Sequence, residues 1–257
     1  MTYVKLKPAF GISAAIMLAS GATTMVLSSD AAGDDLSPGE IFKRVQENYA
    51  SLTSYSDEGK IVATMNDTIT TTTFTIRLAR PNFYHIEWEQ NSESSYSTKN
   101  TGFQAVWSSG AGNFLEMGYG PQDEMSQDIA LDEAAAFSGG AAATIPMAFF
   151  NTQWGDELDG SVFNENRQTD EKVGDVDCYV FTRESEGQTK TLWIGKQDFL
   201  IHQLRTVTSA EAMLAKAAIW DPEIIPDLHG FTSTETHTNI VVNKQFLRSD
   251  FVPSNDE

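Results

Sequence analysis

The chain has 257 residues, enough for one large β-rich domain or two small ones. Its 36 Asp and Glu against 17 Lys and Arg give a formal net charge of -19. That excess repels phosphate backbones and anionic lipid headgroups, which argues against nucleic acid and acidic membrane surfaces as partners. Hydrophobic residues are 40% of the chain, an ordinary share, so a globular core is expected.

Residues 1–32 read as a secretory signal peptide. Lys5 and Lys7 make a short basic start, Ala9 to Val26 is uncharged and apolar, and small residues follow at Ser28, Ser29, Ala31 and Ala32. Ser29-Asp30-Ala31 or Ser20-Gly21-Ala22 would serve for cleavage. The apolar run is also about as long as a membrane span, so an uncleaved N-terminal anchor is the rival reading. No Cys closes the run, which gives no support to lipid attachment. The single cysteine, Cys178, excludes an internal disulfide. It lies mid-strand between Asp177 and Tyr179, with no basic neighbour, and reads as a small buried hydrophobe rather than a reactive thiol.

Residues 34–253 read as a single domain. Ser37-Pro38-Gly39-Glu40 opens a helix, with Ser37 as N-cap, Pro38 at the first helical position and Glu40 three residues after the cap. Ile41, Phe42, Val45, Tyr49 and Leu52 recur at helical spacing and give it one apolar face. Tyr55 to Met65 is a strand, with Gly59, Ile61, Ala63 and Met65 on one side. Asn66-Asp67-Thr68 is a turn. Ile69 to Arg80 is the next strand, in which Phe74, Ile76 and Leu78 alternate with Thr75, Arg77 and Ala79 before Pro81 breaks it. Tyr84, Ile86 and Trp88 then alternate with His85, Glu87 and Glu89, the pattern of a half-buried antiparallel strand. Ser94 to Thr101 and Phe103 to Ser108 read as two strands joined at Gly102, with a short edge at Asn113 to Met117.

The pattern changes over 121–154. Asp128 to Phe137 has a helical composition, stopped by Ser138-Gly139-Gly140, and Pro146 can open a short helix that carries Phe149 and Phe150 before Trp154. This helical insert either caps the sheet as ordinary core or acts as a movable lid over an apolar cavity. Val173 to Leu204 then reads as a meander of three strands, Val173 to Arg183, Thr191 to Gly195 and Phe199 to Leu204. Ala210 to Ala218 is a further helix or strand. Phe231 to Val242 is the last long strand, with Thr232, Thr234, Thr236 and Thr238 on one face and Glu235, His237 and Asn239 on the other.

None of His85, His202, His229 and His237 pairs with another at metal-ligand spacing, and no Cys-x-x-Cys, P-loop, dinucleotide or nucleophile-elbow motif occurs. No metal, no cofactor and no catalytic residue is therefore expected, and solvated or hydrogen-bonded histidines are. What remains is an apolar set at alternating positions: Ile61, Met65, Phe74, Ile76, Tyr84, Ile86, Trp88, Trp107 and Trp193, joined by Met147, Phe149 and Phe150 of the insert. These are the candidate lining of a hydrophobic cavity, unless they simply pack on one another.

The order of local motifs resembles a known family. Tyr55-Ser56-Asp57-Glu58-Gly59 leads into the first strand, Arg80-Pro81-Asn82 ends the second, and Gly102 to Trp107 gives Gly-x-x-x-x-Trp. An Ala- and Gly-rich insert, Val173 to Tyr179, Leu192-Trp193-Ile194 and Glu235-Thr236-His237 follow. This order is similar to the periplasmic lipoprotein-carrier superfamily, the LolA/LolB-like fold. The resemblance implies a mainly β, α+β fold: an unclosed antiparallel β-barrel covered by the N-terminal helix and the helical insert. It implies a periplasmic binding protein that holds an acyl chain, lipid or other hydrophobic ligand on the concave face, and a monomer is expected. Carriers of this kind hold the lid with an early-strand arginine. Arg80 shares the parity of Phe74, Ile76 and Leu78 and is the lid-holding candidate, while Arg77 lies on the other face. The alternative is an envelope regulator or sensor with a filled core, acting on a membrane-bound protein partner.

Overall fold

A computed structural model of the chain describes residues 36–94, 98–110, 112–116, 126–150, 166–220 and 229–253. The expected signal segment, Trp154 and parts of the insert lie outside them. Helix α1 spans Pro38–Ser51. The Ser37 hydroxyl accepts from the Glu40 N–H and the Glu40 carboxylate accepts from the Ser37 N–H, so two orphan donors of the first turn are satisfied. Strands β1 (Ser54–Met65), β2 (Thr68–Ala79), β3 (Phe83–Glu93), β4 (Thr98–Ser109) and β5 (Phe114–Glu116) follow. The insert supplies α2 (Gln127–Phe137) and α3 (Thr144–Phe150). Then come β6 (Glu171–Val173), β7 (Val176–Ser185), β8 (Gln188–Gly195), β9 (Ile201–Thr208), α4 (Ala210–Trp220) and β10 (Phe231–Val242). A short 3-10 turn, Arg248–Phe251, ends the described chain.

All pairings between the strands are antiparallel, in the order β5-β4-β3-β2-β1-β10-β9-β8-β7-β6. The terminal strands β5 and β6 do not pair with each other, so the sheet is open. β1 and β10 lie side by side at its centre although they stand at opposite ends of the sequence. This long-range pair holds the two halves together.

One face of the sheet is covered by α1, α2 and α3. Ile41, Phe42, Val45 and Tyr49 of α1 are buried there. The Phe42 ring stands 4.8 Å from Phe181 of β7, and the Tyr49 hydroxyl accepts from the Ile201 N–H of β9 at 3.2 Å. A single apolar cluster takes residues from β1 to β5 and from β7 to β9, so both halves close on the same helices. Burial of each large side chain here contributes about 1.5–3 kcal/mol.

Three local expectations are corrected. Gly102 does not join two strands: Thr98–Ser109 is continuous, and Gly102 takes a left-handed φ of 71° where the β3–β4 register slips between Glu89 and Asn91. The glycine makes a bulge rather than a turn, because the flanking residues keep their ladder with β3. Val173 to Arg183 is not one strand, since Gly174 (φ 58°) turns the chain between β6 and β7. Asn239 does not share a face with Glu235 and His237. The register slips between Ser56 and Glu58 on β1, Asn239 adopts φ 53°, and its side chain meets Glu58 on the other side of the sheet.

Candidate functional site

The helix-covered face collects most of the expected cavity residues. Ile61, Phe74, Ile76, Tyr84, Ile86, Trp88 and Phe149 are buried in one cluster, and Phe150 packs on it, edge-on to Tyr84. They touch one another and α1. Met147 lines a void of only about 30 Å3 between α2 and the start of α3. Three members lie elsewhere. Met65 is at the exposed end of β1, 46% accessible. Trp107 stacks on Phe114 at 5.5 Å, on the side of the sheet that carries His85. Trp193 joins Cys178 and Val180 in a small second cluster, its indole N–H donated to Glu171. Side-chain alternation along β8 thus sends Leu192 and Ile194 into the main core and Trp193 away from it.

Arg80 is placed where the insert meets α1. Its Nε donates to the Leu52 carbonyl at 3.0 Å, and Nη2 donates to the carbonyls of Tyr49 (3.2 Å) and Phe149 (2.6 Å). These carbonyls lie at the ends of two helices, where intrahelical partners run out, and a guanidinium fork reaches several at once. The guanidinium also lies 4.7 Å from the centre of the Phe149 ring. The other end of α3 is tied as well, because the Thr144 hydroxyl donates to Glu235 Oε2 at 2.7 Å.

That second tie leads into a buried polar cluster. His237 Nδ1 is 2.7 Å from Asp57 Oδ2, the Tyr55 hydroxyl donates to the same oxygen at 2.8 Å, and His237 Nε2 is 3.1 Å from Glu235 Oε1. The side chains of His237 and Asp57 have no solvent exposure. Burial alone would lower the His237 pKa. The Asp57 charge and hydrogen bond, with the Glu235 carboxylate behind them, outweigh it and raise the value to about 10. Burial first, then the nearby Asp57 charge, drives the Tyr55 phenol well above its ordinary value. The imidazolium here serves as a buried counter-ion between two carboxylates. The cluster is nearly closed to solvent, with only Glu235 slightly exposed.

An open cleft of about 790 Å3 lies on the opposite face of the sheet. Strand register sets its floor in rows. Thr238, Glu58, Thr75 and Glu87 cross β10, β1, β2 and β3; Thr236, Lys60, Thr73, Glu89 and Phe103 form the next row, reaching β4. Thr234 and Val62 begin a third. Most of the accessible lining is apolar, and besides the threonines, Val62 and Phe103 it includes Gly59, Phe74 and Trp88, the last two of which also belong to the core of the covered face. The carboxylates are held by neighbours. Asn239 donates to Glu58, Thr75 to Glu87 and Asn100 to Glu89, at 2.8, 2.9 and 2.7 Å.

A smaller cleft of about 320 Å3 adjoins it and shares Glu87. Its wall is polar: Arg77 and His85 from the sheet, with Lys244, Ser249 and Asp250 from the segment after β10. Arg77 Nη1 lies 3.1 Å from His85 Nδ1. A guanidinium can only donate, so Nδ1 accepts and the neutral ring carries its hydrogen on Nε2. Burial keeps this imidazole below the ordinary histidine range, with Glu87 opposing and Arg77 reinforcing the shift.

Reading the sequence missed the buried cluster and most of the cleft, of whose lining it named only Phe74 and Trp88. The cluster left a trace, Glu235 and His237 two apart on the face opposite the threonines, but the Asp57 partner is visible only in the register between β1 and β10. The cleft is built from the threonine faces, which in sequence read as plain solvent-facing alternation.

No family model matches the sequence, and no curated protein matches it. Among solved structures the chain is similar to a DUF1329 family protein from Desulfovibrio piger, with 9% identity, 85% of this chain and 99% of that one covered, and a TM-score of 0.34. It is similar to LprF from Mycobacterium bovis, with 9% identity, 82% and 94% coverage and a TM-score of 0.42. It is also similar to a domain described as outer membrane lipoprotein-sorting from Vibrio parahaemolyticus, with 10% identity, 83% and 97% coverage and a TM-score of 0.31. No helix among the described residues is long and apolar enough to cross a membrane.

Proposed function

We propose that this chain is an exported, periplasmic binding protein for a hydrophobic or amphiphilic ligand, and that the ligand lies in the open cleft over β10, β1, β2, β3 and β4. The role is that of a carrier or sensor, without catalysis. The cleft carries the reading: at about 790 Å3 it has the size of a small-molecule site, with a mostly apolar lining and a few placed charges. Export is supported by the basic start and apolar run of the first residues. The insert then acts as a fixed cover, tied by Arg80 and Thr144, over a face already filled by side chains.

Native mass spectrometry of protein purified from its host, and thermal shift with single-chain amphiphiles, test the reading. A ligand at a hundredfold excess over its Kd should add about 2.7 kcal/mol to stability. Thr73→Trp, which plants an indole on the cleft floor, should abolish the shift. A clean unliganded mass together with no shift from any amphiphile would defeat the proposal. The packed helix-covered face also favours a second reading, an envelope regulator with a filled core that acts on a membrane-bound protein. A protein partner recovered from envelope extract, lost in Thr73→Trp, with no lipid present, is the outcome that selects it.

A further inference from the structure

The two clefts differ in character and meet at one side chain. The larger is lined mainly by apolar carbon and the smaller by polar groups, and Glu87 belongs to both. An occupant that spans them has an apolar part and a polar end. The smaller cleft presents both signs of charge. Arg77 has one nitrogen on His85 and another 3.7 Å from Glu87, which leaves further guanidinium donors for an oxygen ligand. Lys244 lies over the Phe246 ring at 5.3 Å. The buried Nε2 of His85, an N–H, makes no close hydrogen bond: Glu87 Oε2 is 3.6 Å away and the Asp250 backbone is its other, loosely aligned neighbour. Such a donor inside a polar cleft favours an oxyanion in front of it. Glu87 stands on the shared wall, with Glu58 and Glu89 beyond it in the larger cleft, where they favour a cation. A head of net negative charge would also have to approach a chain of net charge -19, whereas a zwitterion does not face that repulsion.

We propose that the smaller cleft is the head-group site for a single-chain zwitterionic amphiphile, its phosphate on Arg77, Lys244 and His85 and its ammonium toward Glu87, with the chain lying in the larger cleft. This rests on the cleft reading of function and names the ligand class of the same site.

The experiment is calorimetric titration of the full chain, below micelle-forming concentrations. The probes are dodecylphosphocholine, dodecyl phosphate, dodecyltrimethylammonium and dodecyl maltoside, which share one tail and differ in the head. Dodecylphosphocholine should bind best. Arg77→Gln and, separately, Lys244→Gln should each weaken it about tenfold while leaving dodecyl maltoside unchanged. Lys244→Gln keeps the test sharp if Arg77→Gln perturbs folding, which circular dichroism reports. If the probes bind with equal affinity, or if the anion or cation alone binds best, or if neither variant discriminates, the head-group assignment is overturned and the cleft reading stands. If no probe binds, or if Thr73→Trp leaves binding intact, the cleft reading falls and the head-group assignment with it.

Discussion

His237 of β10 and Asp57 of β1 meet at 2.7 Å inside the sheet, 180 residues apart in the chain and with no solvent at either side chain. The contact sits at the seam between the two halves of the sheet. Glu235 extends it to Thr144 at the start of α3. Removing one member of such a buried pair leaves the other charged and unpaired. Asp57→Asn should therefore cost about 3–5 kcal/mol in urea denaturation. A loss below about 1 kcal/mol would show that the pair carries little.

The same cluster sets a pH dependence. In the fold His237 titrates near 10, above the ordinary histidine value of 6.5 that applies once the chain unfolds. A raised folded pKa means that the native state holds a proton the unfolded state has released. The stabilisation is complete below about pH 6.5 and is lost as the pH climbs through about 10. Unfolding free energy measured between pH 6 and 10 should fall across that window, and His237→Gln should flatten the slope. A wild-type profile that rises with pH would contradict the charge assigned to His237.

Arg80 offers a second point of attack. It serves carbonyls of Leu52, Tyr49 and Phe149, so one side chain fastens both the end of α1 and the end of α3. Arg80→Ala should cost about 2–3 kcal/mol, the scale of a bond to a charged donor and the carbonyls it abandons. Hydrogen exchange should quicken in α3 before it does in β1. Arg80→Lys should recover little, because a single ammonium cannot fork between separate carbonyls. Equal protection of α3 in wild type and Arg80→Ala would mean that the insert is held by its apolar contacts alone.

The covered face was legible because local rules coincide there. The Ser37–Glu40 cap announces α1, and alternation through Phe74, Ile76, Tyr84, Ile86 and Trp88 assigns the core side of β2 and β3. Arg80 stood out through the family resemblance, with strand parity choosing it over Arg77. The errors fell where one residue breaks the period: Gly102, Gly174 and Asn239 each take a positive φ and move their neighbours off a simple alternation. Most of the cleft was invisible for another reason. A threonine row on one strand looks the same in sequence whether the face is open or hollowed, and the hollow appears only when rows from several strands are stacked in register and twisted. The Asp57–His237 contact likewise depends on pairing between the two ends of the chain.

Cys178 supplies a probe that needs no substitution. It is fully buried beside Val180 and Trp193, and burial, with the Asp198, Asp177 and Asp170 charges adding to it, pushes the thiol up to about 11. Native protein at pH 8 should leave it unmodified by a thiol-reactive disulfide reagent for as long as the second cluster stays closed. In denaturant, modification should track the loss of tryptophan fluorescence. Rapid labelling under native conditions would show that this cluster opens on its own, apart from the main core.

Gly59 and Phe74 face each other across β1 and β2, and the ring lies over the glycine where a side chain would be. A Cβ added at Gly59 falls within the Phe74 ring. The ring also stands edge-on to His237, 5.6 Å between centroids, so it roofs the buried cluster. Gly59→Ala must push the aromatic aside, an overpacking cost of about 1–3 kcal/mol. Moving the ring should also admit water to His237 and bring its titration down toward the ordinary range, which NMR of the imidazole reads directly. Phe74→Leu in the Gly59→Ala background should regain part of the lost stability, since the smaller side chain yields the space. Strictly additive effects of the two substitutions would separate Gly59 from Phe74 and remove the ring's assigned place as the lid of the histidine site.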